Sequence, residues 1–255
     1  MTKLLPFINE QFDWPIWRME IDSLSGILFV ELRNSEEKKV AFGAVDLHNG
    51  QIFFRDATTP ERWLTGVEAA YNGVLLVHNY LSGTGPVHKG LIAIDGTSGK
   101  TIWSNYTLAF DHLSVNGPVV YNAQIQPKKL FLADVKTGEI LRAYQPVLDT
   151  ALDNGISVPQ MMPAHFLHNL QLTETESYGN TIHYMEHNYY RIVSLHTFFQ
   201  QKLKQHLYII NIDGAIVYQD LLNSHIQKLQ PEAFVVHKNK LIYLKDRSTL
   251  IVLNL

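Results

Sequence analysis

Cysteine is absent from the sequence, which excludes in one step a disulfide framework, a zinc-thiolate site, an iron-sulfur cluster and a thiol nucleophile. An excess of one charge is also missing. The 21 Lys and Arg and 24 Asp and Glu leave a formal net charge of -3 and are interspersed along the chain, so no long-range field recruits nucleic acid or an anionic membrane surface. Neither is an expected partner. No run approaches the roughly 20 apolar residues that cross a bilayer. The opening "MTKLLPFINEQF" offers only Leu4 to Ile8, interrupted by Pro6, which is too short for the core of a signal peptide. A cytoplasmic location is expected. Helix signals are few, the best being "LLNSHIQKLQ" at 221–230, where Leu222, Ile226 and Leu229 are helically spaced ahead of Pro231.

What the sequence does have is length for a large core, with 255 residues of which 46% are hydrophobic, and internal repetition. "FGAVDLHNGQIFF" (42–54), "LIAIDGTSGKTIW" (91–103) and "LFLADVKTGEILR" (130–142) share an apolar run, an Asp, three residues, a Gly and a second apolar run. The Asp residues are 46, 95 and 134 and the Gly residues 50, 99 and 138. "LYIINIDGAIVYQ" (207–219) is a fourth copy shortened to an Asp213-Gly214 turn. Each predicts a β-hairpin, in which Asp accepts from the following backbone N–H groups and Gly takes the positive φ that returns the chain.

A second strand pair precedes each hairpin, at 18–32, 66–80, 112–122 and 181–195, and a last group at 232–255 ends after three strands. Four antiparallel strands per repeat of 40 to 50 residues is the sequence form of a β-propeller blade. The expected fold is therefore all-β: a single propeller domain of five four-stranded blades over 1–255, with "KLLPFI" (3–8) supplying the strand the last blade lacks. The segment 146–178 matches no repeat and is either an insertion or a degenerate sixth blade.

The pattern apolar-Ala-x-Asp-x-x-x-Gly-x-x-x-Trp, present as "IAIDGTSGKTIW", resembles the repeat of the quinoprotein dehydrogenase-like propellers. The resemblance covers three blades and a fourth loosely, and Phe54 and Arg142 stand where the first and third copies would carry the Trp of position 103. It implies a blade type. Members that bind the quinone are much larger, eight-bladed and exported, and many carry a vicinal disulfide beside the cofactor. This chain has half that length and no Cys, so no cofactor is expected. It also looks like small uncharacterised bacterial propellers, for which the resemblance implies no activity.

Gly99-Lys100-Thr101 has the ending of a phosphate-binding loop, but Ile94 stands where the first Gly is required and "TIWSNYTL" is unsuited to open a helix; a hairpin turn is expected. His183 and His187 share a strand face yet lie about 13 Å apart at ~3.3 Å per residue, and "HFLH" (165–168) lacks a third ligand, so no metal site is expected. The innermost strands, facing a central funnel, carry the carboxylates Glu20, Asp22, Glu68 and Glu186, with Asp111 just before another such strand; the candidate ligand-binding residues of the funnel are Trp17, Glu20, Trp63, Glu68, His112, His183, Tyr184 and Glu186. Two functions suit them. The first is a non-catalytic binding or scaffold module for a protein or small polar ligand, monomeric, working through this face or through Met161, Met162, Pro163 and Phe166 of the insertion. The alternative is a carbohydrate-active hydrolase using two of the carboxylates, with Trp17, Trp63 and Tyr184 stacking on sugar.

Overall fold

The computed structural model describes residues 3–82, 85–170, 172 and 177–255. Apart from β1 (Pro6–Gln11), the strands follow the repeats in chain order. β2 (Ile16–Asp22), β3 (Ile27–Asn34), β4 (Lys39–Asp46) and β5 (Ile52–Ala57) form one antiparallel sheet. β6 (Thr65–Tyr71), β7 (Val74–Ser82), β8 (Gly85–Asp95) and β9 (Thr101–Asn105) form the next, and β10 (Leu108–Ser114), β11 (Gly117–Asn122), β12 (Leu130–Ala133) and β13 (Ile140–Ala143) the third. Then come β14 (Ile156–Ser157), β15 (Gln160–Pro163), a 3-10 helix (Ala164–Leu170), β16 (Thr181–His187), β17 (Tyr190–Phe199), β18 (Lys202–Ile210), β19 (Ile216–Ile226), β20 (Val235–His237), β21 (Lys240–Lys245) and β22 (Thr249–Asn254). The last two sheets have the orders β15-β16-β17-β18-β19 and β1-β22-β21-β20-β14. These are the five blades of a β-propeller.

The chain divides into two compact units. One is Trp14–Asn154, with the three four-stranded sheets, and the other is the N-terminal segment through Asp13 with Gly155–Leu255, holding the two five-stranded sheets. In the first unit the middle strands are buried on both faces: six consecutive residues, Ile27 to Leu32, are buried in β3, and six in β4. Such strands read as unbroken apolar runs rather than as alternation. Of the fourth strands, β9 and β13 are largely exposed and β5 is mostly half-buried.

The repeat motif has a packing reason. At all three sites the Asp carbonyl accepts the Gly N–H, at 2.8 Å for Gly50, 2.9 Å for Gly99 and 2.8 Å for Gly138, while the Asp N–H donates to the carbonyl of the residue after Gly. The Asp carboxylates accept backbone N–H groups of His48, of Thr97 and Ser98, and of Lys136 and Thr137. The three Gly residues have φ of 78°, 70° and 75°. Each of the latter two also sits on the aromatic ring that ends the previous copy. A Cβ on Gly99 would lie 3.0 Å from Phe54 Cγ, and one on Gly138 would lie 2.7 Å from Trp103 Cδ2. Gly99-Lys100-Thr101 is thus a hairpin, and Lys100 is exposed.

In the second unit β1 pairs antiparallel with β22, Ile8 facing Val252 and Gln11 facing Thr249, so the N-terminal strand completes the last sheet. Two expectations are corrected. Residues 221–230 are not a helix; β19 continues to Ile226, paired to β18 with Leu203 opposite Ile226, and Leu222 is buried. Leu222 and Ile226 lie four apart, which places them on one face of a strand as readily as of a helix, and the long β18 partner decided between the two. The segment 146–178 is not a sixth blade. Its β14 adds to β20, with Ile156 opposite His237, and its β15 adds to β16, with Met161 opposite His183, so it lends a fifth strand to each of two blades. Residues 171 and 173–176 of that segment and the side chain of His168 lie outside the described residues.

Candidate functional site

The first strands of the second and third blades carry the same irregularity, and an acidic residue occupies it each time. Val67 faces Val77 and Ala69 faces Leu76, leaving Glu68 as the extra residue of a β-bulge; Phe110 faces Val120 and His112 faces Val119, leaving Asp111. Bulges re-aim a side chain at sheet edges and beside sites. Both carboxylates meet imidazole: Asp111 Oδ2 lies 2.7 Å from His112 Nδ1, and its other oxygen accepts from Lys128 Nζ at 2.5 Å.

Around Glu68 the arrangement is denser. Oε2 lies 2.9 Å from His88 Nδ1 and 2.8 Å from His78 Nδ1. The two imidazoles are stacked, centroids 3.5 Å apart and planes 7° from parallel, and Tyr80 packs edge-on against both. A second bulge makes this possible. His78 faces Leu91 and Asn79 faces Lys89, so Gly90, at φ 69°, is skipped in the ladder. Without that extra residue Lys89 would oppose Tyr80; with it, His88 does, on the face that His78 shares. His78 is 2% exposed, and although its Nδ1 is close to Glu68, the contact is out of line for a hydrogen bond, so neither ring nitrogen has a hydrogen-bond partner. Leaving a buried polar group in that state costs about 1–3 kcal/mol.

The other candidates of this unit surround the cluster or lie apart from it. Arg18 donates to the carbonyls of Val67 at 2.9 Å and Glu68 at 3.2 Å and pairs with Glu20 at 3.3 Å, tying β2 to the bulge. Burial raises the Glu20 carboxyl above the ordinary range against the opposing Arg18 charge, and the charge of Glu68 adds to the rise. Burial also pushes Asp111 upward, but its bonds to Lys128 and His112 outweigh it and hold the group low. Trp17, itself the bulge residue of β2, is 69% exposed. The Arg33 guanidinium lies over both Trp17 and Trp63, 5.6 and 5.0 Å from the ring centroids, and Lys38 covers Trp63 at 4.8 Å.

His183, Tyr184 and Glu186 belong to the other unit. His183 is buried with Nε2 3.0 Å from the Pro231 carbonyl, and Tyr184 joins an apolar cluster with Leu167, Val193 and Leu195 while its hydroxyl donates to exposed Glu186 at 2.5 Å. Burial and that carboxylate raise the Tyr184 phenol far above its usual value. The same unit has a hollow of about 520 Å³ lined by Tyr178, Phe198, Lys202, Ile226, Lys228 and Leu229.

His78 and His88 were missed from sequence because nothing local marks them. They stand on two strands of a hairpin whose register shifts twice, between His78 and Asn79 and between Tyr80 and Ser82. Counting back from the turn therefore puts the wrong residue opposite Tyr80. The one available signal was Gly90, a glycine inside a strand pattern, which marks a bulge.

A family model described as a domain of unknown function (DUF4905) matches residues 21–103, under half of the chain, and that span includes Glu68, His78 and His88. No curated protein matches. Among solved structures, BamB from Moraxella catarrhalis is similar at 12% identity and TM-score 0.33, covering 93% of this chain and 84% of that one. The Dos1 propeller is similar at 11% identity and TM-score 0.36, with coverage of 99% and 76%. The β-propeller domain of the Trilobed protease from Pyrococcus furiosus is similar at 10% identity and TM-score 0.35, with coverage of 94% and 79%.

Proposed function

We propose that this chain is a non-catalytic binding propeller, a cytoplasmic monomer that takes a protein or small polar ligand on the face built by β2, β6 and β10. One observation carries the proposal. Trp17 is held at a bulge with 69% of its surface exposed, next to Arg18, whose guanidinium is already anchored to the backbone of β6. An immobilised aromatic beside a fixed cation is the composition of an interface anchor. The carboxylates a hydrolase would need are engaged on this face: Glu20 with Arg18, Glu68 with two histidines, Asp111 with Lys128 and His112. The likeness to quinoprotein dehydrogenase-like repeats supports the blade type and no chemistry.

The test is affinity capture from the native host with the wild-type chain and Trp17→Ala. So exposed a side chain leaves folding intact, and a partner retained by the wild type and lost from the variant is expected. A capture profile that Trp17→Ala leaves unchanged would remove this face from the function.

A further inference from the structure

We infer that Glu68, His78 and His88 form a divalent transition-metal site, suited to zinc, on the second blade. Three features point to it. First, the donor set is one carboxylate oxygen and two imidazole nitrogens, whose ligand atoms all lie within 4.8 Å of one another. Three protein ligands with a fourth position left to water is the set of open zinc sites. Second, the spacing is close to what the ion needs. With bonds of about 2.0–2.1 Å, tetrahedral ligands stand about 3.3 Å apart; the carboxylate oxygen is 2.8 and 2.9 Å from the two nitrogens, within a few tenths of an ångström of that spacing. Third, His78 is buried at 2% exposure with Nδ1 aimed at the cluster and no hydrogen bond at either nitrogen. A metal at Nδ1 gives that atom the directed bond that its approach to Glu68 Oε2 does not supply.

The stacked rings define how binding proceeds. A bound ion lies in the plane of each imidazole that ligates it, and two parallel planes 3.5 Å apart have no common point. One ring must turn. His78 is enclosed by the sheet, whereas the side chain of His88 keeps 35% of its surface in solvent, so His88 rotates out of the stack and closes on the ion. Glu68 comes to this position only through its bulge, and His88 only through the bulge at Gly90, so both irregularities serve the same three atoms.

The inference goes beyond the binding face proposed above and stands or falls separately from the Trp17→Ala capture. The experiment uses the full chain, stripped with a chelator and titrated with zinc chloride by calorimetry, then with cobalt(II) by visible absorption. Expected are one equivalent of zinc, a rise in Tm on adding it, and the intense d–d bands of four-coordinate cobalt. Nitrogen-15 spectra of the histidines should show metal on Nδ1 of residues 78 and 88. His88→Ala, at a partly exposed position that leaves the fold intact by circular dichroism, is expected to weaken zinc by about 100-fold or more through loss of a ligand, and Glu68→Gln to weaken it as well. Stoichiometric zinc retained by His88→Ala would place the metal on other histidines and overturn the assignment, as would the absence of zinc binding by the unmodified chain at micromolar metal.

Discussion

Replacing Gly138 by Ala isolates the packing role of the repeat glycine. Gly138 has φ 75°, where an L side chain is strained by about 1–2 kcal/mol. Loss of chain entropy in the unfolded state returns about 0.4–1 kcal/mol. The new methyl also meets Trp103, at 2.7 Å from Cδ2 and 2.9 Å from Cε3. That ring cannot slide away freely, because Nε1 donates to the Val135 carbonyl at 2.8 Å, and overpacking of this kind costs about 1–3 kcal/mol. The total is about 1–5 kcal/mol, which for a chain of this size lowers Tm by roughly 2–4 °C per kcal/mol. Gly73→Ala is the control. Gly73 has φ 80° but open space where a Cβ would go, so it bears the backbone strain alone. Urea denaturation of both variants should show Gly138→Ala the less stable by about 1–3 kcal/mol. Equal losses would refute the view that Gly138 is seated on the aromatic ring of the preceding repeat.

Two further outcomes are expected. His196 is 4% exposed, its Nε2 accepts the Gln230 N–H at 3.0 Å, and burial with His183 and His206 nearby depresses its pKa from 6.5 to about 4. The unfolded chain therefore binds the proton more tightly, and stability is lost as pH falls from about 6.5 towards 4. Linkage puts the loss between pH 7.5 and 5 at about 2 kcal/mol; urea titrations should show it, and a pH dependence unchanged in His196→Gln would refute the assignment. Deleting residues 2–11 removes β1 and uncovers the edge of β22 together with the buried Ile8 contact, so Tm and solubility should both drop; a truncated chain that melts with the full one would show that β1 contributes nothing.

The repeats were legible because they are local. Asp and Gly four apart define a hairpin through hydrogen bonds that close within six residues, from Asp95 to Lys100 for example, and the flanking runs of β-branched and aromatic residues have no alternative but strands. From these alone the sequence determines the all-β class, four of the blades and the rejection of a nucleotide loop at Gly99. Three things were decided by partners far away in the chain. The strand at 216–226 depends on β18, because its apolar spacing suits helix and strand alike. The fate of 146–178 depends on the edges of β16 and β20, to which its short strands add. The cluster of Glu68, His78 and His88 depends on two bulges, each of which moves one residue to the other face of its strand. A side-chain period of two makes every such slip reverse which residues meet, so histidines ten positions apart become neighbours for a reason that only the paired strands contain.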